Sequence, residues 1–253
     1  MIFHFDPDRK YKISKDEISK LKYSGHQPQS ILSNKEELIK TRFKTYLQAI
    51  LHPANGIING DKLKNIIFPT QGYGQEWNFD VFISHSHNDL SSAQKLASFL
   101  RNDLRMKPFI DSYIWGSADE LLKEIDKDYC AHSNGKSFDY NKRNFSTSHV
   151  HTMLSMAILE IIARCKAFVF IESDESLDYN QLKDYNLKTI SPWLYQELQY
   201  ANMLSIAVFH QLNEERSFSE GGRLTISYEA DLSEFKSLTA KQLQERAINK
   251  NPL

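Results

Sequence analysis

The densest run of side chains able to do chemistry is Ser84-His85-Ser86-His87-Asn88-Asp89. Hydroxyls and imidazoles in this arrangement can hydrogen-bond a sugar or phosphate, carry a proton or ligate a metal. The run follows Phe79-Asp80-Val81-Phe82-Ile83, which has the composition of a buried strand. It precedes a stretch whose apolar residues Leu90, Ala93, Leu96, Ala97, Leu100 and Leu104 recur every three or four positions, as an amphipathic helix requires. Asp89 is placed to cap that helix. Strand, polar loop and helix make half of a βαβ unit, and in open α/β sheets ligands bind outside the carboxyl ends of the strands.

Two further groups invite chemistry. His85 and His87, with His149 and His151, suggest a zinc site of the metallohydrolase kind, a different enzyme class. Against it, His149 and His151 stand two residues apart on a predicted helix, about 200° around it, where they cannot share an ion. The chain after residue 78 is also too short for an eight-stranded barrel, so no metal is expected. Ser146, Thr147 and Ser148 read as a helix start whose free amides would suit a phosphate. Cys130 and Cys165 are too few for a disulfide framework or a cysteine-based zinc site.

The elements that position these groups follow from composition and periodicity. With 253 residues, 41% of them hydrophobic and 12% aromatic, the chain can bury a sizeable core, as one α/β domain with an appendage. Its 31 basic and 32 acidic residues give a net charge of −1, which favours neither nucleic acid nor an anionic membrane. The N-terminal residues lack the charged start and apolar stretch of a signal peptide, and the apolar window from Met153 to Ile171 is broken by Glu160, Arg164 and Lys166. A cytoplasmic protein that does not engage membranes is expected.

Residues 1–72 read as a helical N-terminal extension. Ser33 and Glu36 form a capping-box signature ahead of a stripe running from Leu38 to Leu51, and a shorter helix is predicted over 61–68. Pro69, Gly72 and Gly74 mark 69–76 as a linker. The main domain, 73–235, alternates predicted strands at 79–84, 108–111, 167–171, 205–210 and 224–228 with helices. Residues 112–116 read as a loop, 119–125 as a short helix, 128–146 as an insertion and 172–189 as a long polar loop. Residues 236–253 form a C-terminal tail with a helix near 240–247. Five strands separated by helices predict an α/β fold with a doubly wound parallel sheet of flavodoxin-like topology, the first strand lying between the second and third. That order reverses the chain between the first and third strands, so the 84–89 loop and the 191–197 segment should flank one crevice.

Phe79-Asp80-Val81-Phe82-Ile83-Ser84-His85-Ser86, then Phe109-Ile110-Asp111-Ser112, then Ser191-Pro192-Trp193 with Glu197 four residues later, together resemble a bacterial Toll/interleukin-1 receptor (TIR) domain over roughly residues 78 to 230. In the enzymatically active members of that family, a glutamate following a tryptophan in this manner is essential for cleaving NAD at the nicotinamide–ribose bond, and Glu197 is the matching position. The resemblance implies NAD as substrate, with no separate cofactor. A carboxylate beside the ribose suits that reaction, because expelling nicotinamide leaves an oxocarbenium-like sugar. Trp193 would anchor the helix and brace the carboxylate. Ser84 and His85 would line the crevice, or else serve as turn residues. Asp111, Ser112, Tyr113 and Trp115 would line the nucleotide site or mediate contact between domains of a homo-oligomer. Proteins of this appearance resemble the NAD-cleaving subunits of Thoeris-like antiphage defence, whose ADP-ribose-derived product reaches a separate effector. The alternatives are a non-enzymatic assembly module and a nucleotide-processing hydrolase or transferase with a related sheet.

Overall fold

The computed structural model describes residues 5–22, 58–67, 79–132, 137–178, 187–206 and 228–253. The predicted helix at 33–51, the linker at 69–76, residues 207–210 of the fourth predicted strand and 224–227 of the fifth lie outside them. In chain order the strands are β1 (Lys10–Ser14), β2 (Val81–Ser84), β3 (Pro108–Ile110), β4 (Ala167–Glu172), β5 (Lys188–Thr189), β6 (Tyr228–Glu229) and β7 (Lys236–Ser237). The helices are α1 (Lys15–Ser19), α2 (Gly60–Ile67), α3 (Leu90–Asn102), α4 (Ser112–Ile125), α5 (Tyr140–Arg164), α6 (Pro192–Ile206) and α7 (Ala240–Ile248). Two compact units emerge. The first comprises Met1–Gly25, Asn78–Ile110 and Ile162–Leu253, and the second His26–Trp77 and Asp111–Ile161.

The first unit holds a five-stranded, all-parallel sheet in the order β3-β2-β4-β1-β7. This is the α/β, doubly wound, flavodoxin-like arrangement, with β2 between β3 and β4 as the sequence predicts. The runs Val81–Ser84, Pro108–Ile110 and Ala167–Ile171 are buried throughout, because a parallel strand in such a sheet is covered on both faces. The fourth and fifth places differ from expectation. Ser205 and Ile206 belong to α6, and β6 pairs antiparallel with β5 outside the main sheet. The fourth place is taken by β1, from the segment read as a helical extension, and the fifth by β7, from the segment read as a tail.

Parallel register explains how β1 fits. Phe109, Phe82, Phe168 and Lys10 stand opposite one another across β3, β2, β4 and β1. The Phe82 and Phe168 rings stack with centroids 5.4 Å apart, and Phe109 continues the row at 5.6 Å from Phe82. Lys10 ends the row, its ammonium lying 5.5 Å above the Phe235 ring and donating to Asn202 Oδ1 at 3.1 Å. Burial lowers the pKa of Lys10, opposed by the nearby Glu234, Asp231 and Asp8. Lys12, the next lysine on this face, pairs with Glu172 at 3.2 Å.

The last helix is tied to the same end of the sheet. Glu17 accepts a hydrogen bond from the Ala240 amide at 2.8 Å and another from Lys20. The Lys20 hydrogen bond, then the Ala240 amide, hold the Glu17 pKa below the usual carboxylate range. A depressed folded pKa means that the stabilisation is complete above the unfolded carboxylate's pKa of about 4.3 and is lost as pH falls through the folded value. Glu17→Gln is therefore expected to lower the melting temperature at pH 7, and the gap from wild type should close on acidification below about pH 4. A gap that persists unchanged at pH 2 would show that the carboxylate charge is not the cause.

In the second unit α2 matches the predicted helix at 61–68 closely, and Lys64 forms a salt bridge with the buried Glu160 of α5. Residues 112–116 are not a loop, since α4 begins at Ser112, with Asp111 at its N-cap accepting from the Ser112 amide at 2.7 Å. The stretch read as an aperiodic insertion is a π-helical turn (Asp126–Cys130), a bridge between Ala131 and Phe138, and the start of α5. Asp139 opens that helix by accepting from the Lys142 amide at 2.9 Å. Among the described residues, no helix is long and apolar enough to cross a membrane.

Candidate functional site

Helix α6 starts where the sequence places it. Ser191 Oγ accepts from the Leu194 amide at 3.3 Å, and Pro192 occupies the first helical position, where its missing N–H costs nothing. Leu194, Glu197, Leu198 and Ala201 are all buried, a spacing of i, i+3, i+4 and i+7 that defines one helical face. A carboxylate thus occupies a core position on an otherwise apolar stripe. Taking a charge out of water is costly unless partners compensate, so this placement needs a reason.

Its partner is Ser84. The hydroxyl of Ser84 donates to Glu197 Oε2 at 2.7 Å, and both residues are fully buried. Ser84 ends β2 opposite Phe170 of β4, one row beyond the Phe82–Phe168 pair and on the same face of the sheet. Lys10, on that face too, holds Asn202 of α6. Two hydrogen bonds from the sheet therefore fix α6 on this face, and one of them delivers Glu197 to Ser84 at the carboxyl end of β2, a strand that borders the gap between β2 and β4. That gap is the topological switch point of the sheet, where open α/β proteins bind their ligands.

The other predicted residues divide between the two units. His85, next to Ser84, is buried in the first unit, whereas His87 is exposed. Trp193 lies in the first turn of α6, partly buried and four residues before Glu197, hence on the same side of the helix. Asp111, buried, and Ser112, partly buried, belong to the second unit, and Tyr113 and Trp115 are first-turn residues of α4 there. Asp89 is buried, but its side chain makes no cap hydrogen bond to α3.

One other candidate loses its premise. Ser146, Thr147 and Ser148 lie inside α5, not at its start, so their amides are committed to the helix and offer nothing to a phosphate. The Ser146 and Ser148 hydroxyls turn back to the carbonyls of Arg143 and Asn144. His149 is exposed and packs edge-on to Phe145 at 4.5 Å, and no group of His, Cys, Asp and Glu among the described residues is placed to hold a metal ion. Cys130 and Cys165 are buried free thiols whose pKa burial pushes up, the opposite of what a nucleophilic cysteine needs.

Fold and site together define a doubly wound α/β protein with a buried glutamate at its switch point. Comparisons with protein-family models, with curated proteins and with solved structures find no match to this chain.

Proposed function

We propose that this protein is a TIR-like enzyme that cleaves NAD at the nicotinamide–ribose bond, with Glu197 as its catalytic carboxylate. The observation that carries the reading is the buried Ser84–Glu197 hydrogen bond at the switch point. In the reaction the bond between the ribose C1′ and the pyridinium nitrogen breaks, and its electron pair returns to the ring. Nicotinamide leaves neutral, so no general acid is needed. The positive charge passes to an oxocarbenium-like ribose, which the Glu197 carboxylate stabilises. Water, losing a proton, then captures C1′ to give linear ADP-ribose; a nucleophile within the same ADP-ribose gives a cyclic product, and a nucleophile of a second molecule, also losing its proton, gives a conjugate. Trp193 braces the helix that carries the carboxylate. Asp111, Ser112, Tyr113 and Trp115 serve nucleotide binding or homo-oligomer contact, and a diffusible product would signal to a separate effector in antiphage defence.

Ser84 and Glu197 are both sealed from solvent, so substrate reaches the carboxylate only after what covers it moves. Activity is therefore best sought across a wide range of protein concentrations, where self-association can supply that movement. Purified protein incubated with NAD is expected to release nicotinamide in proportion to the NAD consumed, with no release of AMP. NAD left intact at concentrations where the protein self-associates would favour the assembly-module reading. Cleavage of other nucleotides with NAD untouched would favour a nucleotide hydrolase or transferase.

A further inference from the structure

We propose that Asp89 is the positioning residue of the Ser84–Glu197 pair, fastening the loop that leaves β2 to the ends of β1 and β4; the inference rests on the reading of Glu197 as catalytic. Asp89 stands at the N-cap of α3, where an aspartate ordinarily accepts an amide of the first helical turn. Its carboxylate is used otherwise. Oδ1 accepts from Lys15 Nζ at 2.8 Å, and Oδ2 accepts from the Ser173 hydroxyl. Lys15 directly follows β1, and Ser173 directly follows β4. One fully buried carboxylate thus gathers the chain from the carboxyl ends of three neighbouring strands.

Both arms of this junction are themselves fixed. Ser173 sits in a turn in which its amide donates to Ser176 Oγ at 2.9 Å and the Ser176 hydroxyl donates to the Ser173 carbonyl at 3.0 Å. Beside it, Asn88 Nδ2 donates to Glu175 Oε2 at 2.9 Å, a second tie between the loop after β2 and the turn after β4. Because Ser84 is opposite Phe170, Ser173 lies three residues farther along the strand direction, about 10 Å at roughly 3.3 Å per residue. The junction therefore sits just beyond the Ser84–Glu197 pair at the same edge of the sheet. The Ser84–Asp89 loop is held at both ends, by Glu197 at one and by Lys15 with Ser173 at the other. Helix capping alone would need neither tertiary partner, and a buried charge is tolerated here because both oxygens are engaged.

The test uses the full-length protein. Asp89→Asn removes the charge and keeps the shape, Lys15→Met removes the ammonium from a side chain that is 48% exposed, and Lys15→Arg keeps a cation. Backbone amide exchange and steady-state nicotinamide release are measured on each. In Asp89→Asn and Lys15→Met, the amides of residues 85–89 are expected to exchange about tenfold faster while those of β4 are unaffected, since a local tie opens a local segment. Release is expected to lose about tenfold in kcat with KM nearly unchanged, and Lys15→Arg to restore both. Exchange at 85–89 that matches wild type, or that rises equally across the whole sheet, would overturn the inference. If the local exchange changes appear but wild-type protein leaves NAD intact, the positioning role stands and the NAD-cleavage reading fails.

Discussion

Glu197→Gln is expected to suppress nicotinamide release by at least about a hundredfold while leaving the protein folded. Glutamine has the same shape, and its carbonyl oxygen can still accept the Ser84 hydroxyl, so packing on the face shared with Leu194, Leu198 and Ala201 survives. What disappears is the negative charge that the developing ribose cation requires. Glu197→Met asks what the residue does for the structure. Methionine fills similar space but leaves the buried Ser84 hydroxyl without its acceptor, a loss of about 1–3 kcal/mol. The expected result is a melting temperature modestly below that of wild type in a protein that still folds, with release abolished. A Gln variant as active as wild type would remove Glu197 from the chemistry. A Met variant that unfolds would reassign it to the architecture.

How far the fold and site are legible in sequence depends on how each segment resolves its burial. β2, β3 and β4 are short apolar runs, and a strand covered on both faces must be apolar, so their positions and order can be read directly. β1 defeats the same rule, because Lys10 and Lys12 alternate with Tyr11 and Ile13 and make the segment look solvated. Lys10 is nonetheless buried, its stem packed and its ammonium satisfied by Asn202 and the Phe235 ring, neither of which can be anticipated from the local sequence. β7 has only two residues, too few for any periodic signal. Within the site, Glu197 is legible only through the resemblance, four residues after Trp193, while the strand order places its helix beside the loop after β2. The role of Asp89 is not legible, because its partner Lys15 belongs to the segment mistaken for an appendage, and an aspartate before a helix satisfies the simpler reading of a cap. Tyr113 and Trp115 lie in the stretch 112–116, ending at Gly116, that reads as a loop. Asp111, by capping α4, makes that glycine an interior helical residue.

The aromatic row beneath the site is expected to carry much of the stability of the first unit. Phe168 is fully buried on β4, stacked on Phe82 and meeting Phe235 edge-on with centroids 5.8 Å apart. Phe168→Ala removes all these contacts at once from a strand hydrogen-bonded on both sides, where the surroundings can relax little, and should cost about 3–5 kcal/mol. Against the roughly 5–15 kcal/mol typical of a whole domain, that is a large fraction. The measurement is the urea midpoint at unchanged slope, with Ile248→Ala as the control: Ile248 is 79% exposed on α7, and its truncation should stay within about 0.5 kcal/mol. Equal losses in the two variants would refute the assignment of the core. The consequence for function is local. Phe168 lies one row before Phe170, the residue opposite Ser84, and opposite Lys10, which holds α6 through Asn202. A cavity there loosens both attachments of the helix that presents Glu197, so even at temperatures where Phe168→Ala remains folded, nicotinamide release should fall, whereas Ile248→Ala should leave it unchanged.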